Sequence, residues 1–196
     1  MIDQRDLMAV VEKHRGDAVV IPIFRAERGW EEVSQTPERD TVTNPMGKGS
    51  SFALGLALSQ PDVKVILFDG DGSLKMNLGS LVTIANQQPR NLYHFVMDNG
   101  LYATTGGQPV PGNDRASFSE MARAAGYAAS YDFDDLEEFA TQAEAVLNQT
   151  GPVLVCVKTV PNIRQPEERA RIMARRGPSR SERMRSLQQT LKRDGA

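Results

Sequence analysis

The sequence is poor in cysteine, in long apolar runs and in net charge, and each shortage removes a class of protein. Cys156 is the only cysteine, which excludes an internal disulfide framework and any four-cysteine metal or iron–sulfur site. No stretch reaches the ~18–20 apolar residues of a membrane helix. The amino-terminal MIDQRDLMAVVEKHRGD is charged and amphipathic. It lacks the apolar core and small-residue cleavage site of a secretory signal, so a cytoplasmic location is expected. A net charge of −2 argues against bulk nucleic-acid binding.

The charge is uneven. From Arg164 onward there are ten Lys/Arg and four Asp/Glu, a balance of +6, which leaves 13 basic and 21 acidic residues before it, a balance of −8. Such a tail is read as a solvated helical extension, with an acidic partner surface or RNA as the alternative. The 196 residues, 40% hydrophobic and 24% charged, suit one ordinary soluble domain with a substantial core. Two units are expected: residues 1–160 as the folded domain, and residues 161–196 as a charged helical extension.

Within the first unit, four near-continuous apolar runs have strand length: 18–24, 63–68, 92–97 and 153–157. A short β-branched segment lies at 41–43. Helical spacing covers 3–14, 50–59, 78–86, 118–125 and 136–147, and the second of these has so little polar face that it reads as buried. Apolar strands alternating with helices predict a three-layer α/β fold, a doubly wound parallel sheet covered on both faces. Beyond Pro161, two polar helical stretches at about 166–176 and 180–193 lack a wide apolar stripe and are not expected in the main core.

The chemistry concentrates at two strand ends. VKVILFDGDGSLKMN (63–77) ends a buried strand in Asp69-Gly70-Asp71-Gly72-Ser73. Polar, glycine-rich residues at the carboxyl end of a parallel strand are where α/β folds bind ligands. Gly70 and Gly72 let the backbone approach a phosphate, and Gly72-Ser73 can aim N–H groups at an anion. Asp71 repels an anion, so a divalent cation between them is implied. The next strand supplies FVMDNGLY (95–102), with Asn99 28 residues after Asp71. A right-handed crossover brings both strand ends to one edge of the sheet. The Asp71 carboxylate and the Asn99 amide oxygen can then meet one Mg²⁺. Two side chains, a backbone carbonyl, two phosphate oxygens and a water would complete six hard ligands.

This ordered set resembles the fingerprint of thiamine-diphosphate-dependent enzymes, in which GDG is followed about 25–30 residues later by a paired Asn. The resemblance covers roughly residues 17–160. It implies Asp71, Asn99 and the backbone carbonyl of Leu101 as the Mg²⁺ ligands, with Asp98 replacing the first Asn of the pair. It also implies that Met46-Gly47 and the following helix lie near the thiazolium, as the family's GMG-type segment does. Gly70, Gly72, Ser73 and Tyr102 join the cofactor-binding set. Residues 102–109, YATTGGQP, look like the Y-G-S-T-G-x-Q-P stretch of sulfopyruvate and phosphonopyruvate decarboxylases.

In that family a glutamate on a separate pyrimidine-binding (PYR) domain activates the cofactor. This chain is too short to hold both domains. The resemblance therefore implies a diphosphate-binding (PP) subunit, active only in a hetero-oligomer with a PYR-type partner. The implied reaction releases CO₂ and an aldehyde from a small 2-oxo acid, with the thiazolium accepting electrons. Substrates of this kind carry a second strong anion, for which Lys48 and Arg25 are candidates, while Gln108 is a further candidate at the cleft. The stretch Phe24 to Arg28 departs from the small residues usual after the first strand.

Three alternatives stay open at this level. One is a subunit of another split thiamine enzyme, such as an acetolactate-synthase-like carboligase or a 2-oxo acid:ferredoxin oxidoreductase. Another is a non-catalytic subunit that keeps the fold. The third reads FDGDGSL as the D-x-D-G-[ST] motif of haloacid-dehalogenase-type phosphatases, with Asp69 as nucleophile; its position after 62 other residues and the lack of a well-placed later acidic pair disfavour it. Of the remaining polar or aromatic residues, His94 and Cys156 are read as core, His14 as exposed, and Trp30 as a loop residue facing a partner.

Overall fold

The computed structural model describes residues 1–43, 46–163 and 178–194. The sheet is built from β1 (Val19–Pro22), β2 (Val65–Gly70), β3 (Leu92–Asp98), β6 (Ala129–Phe133) and β7 (Val153–Lys158), in the order β1-β2-β3-β7-β6. Every neighbouring pair in it is parallel. A two-residue antiparallel ribbon, β4 (Leu101–Tyr102) with β5 (Gln108–Pro109), stands apart from it.

Helices cover both faces. On one lie α1 (Gln4–His14), α2 (Arg25–Glu31) and α7 (Leu136–Asn148). On the other lie α3 (Gly49–Ser59), α5 (Gly79–Gln87) and α6 (Phe118–Ala125), with the short α4 (Asp71–Lys75) at the strand ends. Because side chains alternate across a strand, Ile66, Phe68, Phe95 and Val155 enter the first layer, while Val65, Leu67, Val96 and Leu154 enter the second. Burial on both faces is why these strands read as unbroken apolar runs.

Local sequence explains the helix ends that frame the sheet. Asp3 caps α1 by accepting the Arg5 N–H at 2.8 Å, and Leu7, Met8 and Val11 form its buried face. Ser117 and Asp135 cap α6 and α7 by accepting N–H groups of Glu120 and Glu138. Gly126 closes α6 in the left-handed conformation.

Several expectations need correction. Trp30 is not a partner-facing loop residue. It sits on α2, 1% exposed, with its ring 5.3 Å from Phe68. Phe68, Phe95, Phe139 and Phe133 continue that contact through the first layer at 5.2, 6.0 and 5.2 Å between ring centroids. The segment 41–43 forms no strand; the edge contact falls earlier, where Asp40 bridges Val20 and Thr41 N–H reaches the Val20 carbonyl at 3.0 Å. Helix α3 is buried on one side only, because Ser51, Gly55 and Leu58 face outward. Strand β6 and helix α2 were not expected at all. His14 is half-buried.

The stretch 166–176 lies outside the described residues. The second stretch is helix α8 (Arg180–Asp194), and it does join the core. Its Leu187 is 1% exposed within the second layer, with Leu191 packed beside it. Arg183 pairs with Glu27 and Glu31 of α2, and Arg39 pairs with Asp194. Burial raises the carboxyl pKa of Glu27 while Arg183 opposes the rise.

Candidate functional site

Parallel register aligns the carboxyl ends of β2 and β3, pairing Gly70 with Met97. The segments that follow are joined directly. Asp71, 2% exposed, accepts the Gly72 N–H through Oδ1 and the Gly100 N–H through Oδ2, both at 2.7 Å. Gly100 has a φ of 72°, a conformation that costs glycine little. Asn99 Oδ1 accepts the Leu101 N–H at 2.9 Å. The acidic and amide oxygens expected to share an ion therefore stand at adjoining strand ends, Asp71 on the first residue of α4 and Asn99 on the loop after β3.

Burial pushes the Asp71 carboxyl up to about 6, with the two N–H bonds opposing the rise and neighbouring Asp98 adding to it. A buried carboxylate so disfavoured gains from an adjacent cation. Among the described residues no three His, Cys, Asp or Glu side chains converge to hold a metal. A cation at Asp71 must then draw on amide and carbonyl oxygens and on oxygens of a bound ligand, a donor set that suits Mg²⁺. Asp98 is not a further ligand: it is 3% exposed and accepts from Asn113 Nδ2 at 2.6 Å and from Lys158, tying β3 to its neighbours.

The neighbouring segments close around this pair. A Cβ on Gly72 would lie 2.4 Å from Tyr102 Cε1, so the Tyr102 ring crosses the loop where only glycine leaves room. Ser73 Oγ accepts the Gly47 N–H at 3.1 Å, which ties the Met46-Gly47 turn to α4. The result is an open cleft at the carboxyl ends of β2 and β3.

Of the expected site residues, Met46, Gly70, Asp71, Gly72, Ser73, Asn99, Leu101 and Tyr102 line this cleft. Gly47 sits behind Ser73, buried. Lys48 and Gln108 do not line it. Lys48 is exposed at the start of α3, and Gln108 is exposed in the ribbon, bonding to Thr105. Among the described residues, Arg25 is the one cationic residue on the lining.

Arg25, expected as a candidate, lines the cleft together with its neighbours Ile23, Phe24 and Ala26, while the Ala103-Thr104-Thr105 rim was not placed in the site by sequence. Phe24 stands at the end of the first apolar run. Its backbone has φ 51° and ψ −107°, a sparsely populated region for a residue with a side chain and a form of strain that clusters at functional sites. The phosphatase alternative meets an obstacle here. Asp69, its nucleophile, is 1% exposed and turned toward His94 rather than toward solvent.

Comparisons with known proteins bear on the family and the fold. Residues 29–157 match the model of the thiamine pyrophosphate enzyme, C-terminal TPP binding domain. The chain is 40% identical over 116 residues to sulfopyruvate decarboxylase subunit beta of Methanocaldococcus jannaschii, covering 59% of this chain and 61% of that one. It is 33% identical over 146 residues to phosphonopyruvate decarboxylase of Streptomyces viridochromogenes, covering 74% of this chain and 36% of that one. The chain thus spans about three fifths of the first relative and about a third of the second. The fold is shared with Rhodococcus jostii thiamine diphosphate-dependent 4-hydroxybenzoylformate decarboxylase, at a TM-score of 0.70 and 22% identity over 83% of this chain and 33% of that one. The α/β sheet, the joined strand ends at Asp71 and Asn99, and the domain match lead to one assignment: the chain belongs to the thiamine pyrophosphate enzyme family and carries its C-terminal TPP-binding domain.

Proposed function

We propose that the cleft binds thiamine diphosphate with Mg²⁺, and that the chain is the PP subunit of a two-subunit 2-oxo acid decarboxylase of the sulfopyruvate or phosphonopyruvate type. The observation that carries the reading is the junction at Asp71. One buried carboxylate, destabilised by burial, reaches across to the loop that presents Asn99 and the Leu101 carbonyl.

In this reading Asp71, Asn99 and the Leu101 carbonyl hold the metal. Gly70, Gly72 and Ser73 let backbone approach the diphosphate, and Tyr102 screens that end from water. Met46, with the turn anchored by Gly47, supports the thiazolium side. The cofactor, once bound, supplies the electron sink for loss of CO₂. Residues 1–160 form the cofactor domain, and 161–196 an extension whose described helix packs back onto it.

A PYR-type partner is supported by the likeness to a sulfopyruvate decarboxylase subunit beta, a name that implies a second subunit; among the described residues no glutamate lines the cleft. Met76, Val82 and Leu58, at 56, 62 and 47% exposure, are apolar side chains on the α3–α5 side that a partner can cover. Among the described residues no helix is long and apolar enough to cross a membrane. The buried, lone Cys156 accords with a cytoplasmic protein. Arg25 replaces Lys48 as our candidate for the substrate's second anion, because it faces the cleft and Lys48 does not.

The test is co-purification with candidate PYR-type subunits, followed by CO₂ release from sulfopyruvate, phosphonopyruvate and pyruvate. The proposal expects turnover of a substrate with a second anion by the complex and none by this chain alone. Turnover by the single chain, or condensation without net aldehyde release, contradicts it.

A further inference from the structure

At the cleft wall, two buried polar side chains, Asp69 on the lining and His94 behind it, turn facing atoms to each other without the hydrogen bonds that burial normally requires. Asp69 is 1% exposed and His94 is 0% exposed. In the register of β2 and β3, Leu67 lies opposite His94 and Asp69 opposite Val96. Asp69 and His94 are thus diagonal neighbours on the α3 side of the sheet. His94 Nε2 is 3.5 Å from Asp69 Oδ2, and both atoms lack a hydrogen-bond partner among the described residues. Nδ1 of the same ring is 3.5 Å from the Tyr127 hydroxyl. This suits the tautomer in which Tyr127 donates to Nδ1 and Nε2–H faces Asp69. An apolar pair in the same space would carry no desolvation penalty.

What Asp69 does with its remaining contacts gives the pair a purpose. Oδ1 accepts the Gly70 N–H at 2.8 Å, at the head of the Gly70–Ser73 segment. Oδ2 lies 3.4 Å from where a Cβ on Gly49 would stand, in the first turn of α3. The carboxylate therefore bonds the head of the Gly70–Ser73 segment and lies beside the first turn of α3, where Gly49 carries no side chain. We infer that His94 is a positioning residue of the cofactor site. By holding Asp69 it fixes Gly70–Ser73 against the start of α3, and so sets the direction of Asp71, without touching a ligand. Here it plays the part of the outer partners that orient metal ligands elsewhere. The inference rests on the diphosphate–Mg²⁺ reading of the cleft.

The test uses the full chain as His94→Leu and His94→Gln. Gln retains an N–H that reaches toward the Nε2 position, whereas Leu fills the space without one. Three quantities are read: amide exchange of residues 69–74, affinity for thiamine diphosphate at saturating Mg²⁺, and the urea midpoint. His94→Leu is expected to speed exchange in that segment and to weaken binding by about 10-fold, the lower end of what loss of an outer partner costs a metal site. His94→Gln should stay near wild type in both. Wild-type exchange and affinity in His94→Leu overturn the inference, and so do equal losses in both variants that track the urea midpoint. If His94→Leu does not fold, His94→Asn, too short to reach Asp69, must show the faster exchange that His94→Gln does not. A wild-type chain that binds no thiamine diphosphate refutes the cleft reading, and the exchange data then decide separately whether His94 holds the segment.

Discussion

Asp71→Asn in the cofactor-free chain isolates the electrostatic character of the site. The wild-type carboxyl rises from 3.8 to about 6 on folding, which corresponds to about 3 kcal/mol of destabilisation when ionised. Asparagine removes the charge but presents an NH₂ to one of the two backbone N–H donors, losing a hydrogen bond of about 1 kcal/mol. The variant should therefore be about 2 kcal/mol more stable than wild type at pH 8, or ~4–8 °C in Tm for a chain of this size. The sign follows from the raised pKa. Its favourable contribution is complete below pH 3.8, declines as pH climbs to about 6, and is gone above that. The advantage of the variant should open across this window and stay flat above it, while near pH 3 the variant should be slightly the less stable. Urea unfolding in EDTA, followed by fluorescence of the buried Trp30, reads both. With Mg²⁺ and thiamine diphosphate at a hundred-fold over Kd, wild type should gain about 2.7 kcal/mol and the variant little, so the order flips. A variant less stable than wild type at pH 8 in EDTA, or a difference independent of pH, would refute the reasoning.

The strain at Phe24, about 1–3 kcal/mol for such backbone angles, should make Phe24→Gly more stable than Phe24→Ala by about 1 kcal/mol in chemical denaturation. The usual order favours alanine, and finding that order here would remove the strain argument. Leu187→Ala should cost about 2–4 kcal/mol, because this buried side chain anchors a helix that is otherwise polar. A change in urea midpoint worth under ~0.5 kcal/mol, the range of ordinary surface substitutions, would mean that α8 adds nothing to the domain. In the assembled enzyme Arg25→Gln should raise KM for sulfopyruvate far more than for pyruvate, and Lys48→Gln should leave the ratio unchanged. Steady-state kinetics with both substrates settle which cation matters.

The parts of the fold visible in sequence were those whose environment is uniform. β2, β3 and β7 are buried on both faces, so their apolar runs stand out without any knowledge of partners. The spacing from Asp71 to Asn99 was equally legible, because a helical crossover and one strand between two neighbouring strand ends fix where both emerge. β6 escaped notice because it is an edge strand whose Ser130 and Asp132 break the apolar pattern. Helix α2 was hidden by Gly29 in its interior, a residue that weakens helices. The burial of Trp30 and Leu187 depends on Phe68 and on the second-layer core, contacts between residues far apart in the chain. Which way Lys48 and Gln108 point is decided by a turn and a ribbon whose geometry their own types do not specify.

Asp71 and Asn99 are proposed to hold one Mg²⁺ against a diphosphate. Calorimetric titration of thiamine diphosphate, with and without Mg²⁺, into wild type, Asp71→Ala and Asn99→Ala tests it directly. Wild type should bind tightly only with Mg²⁺, and each variant should lose that metal dependence. Unchanged Mg²⁺-dependent affinity in both variants would contradict it.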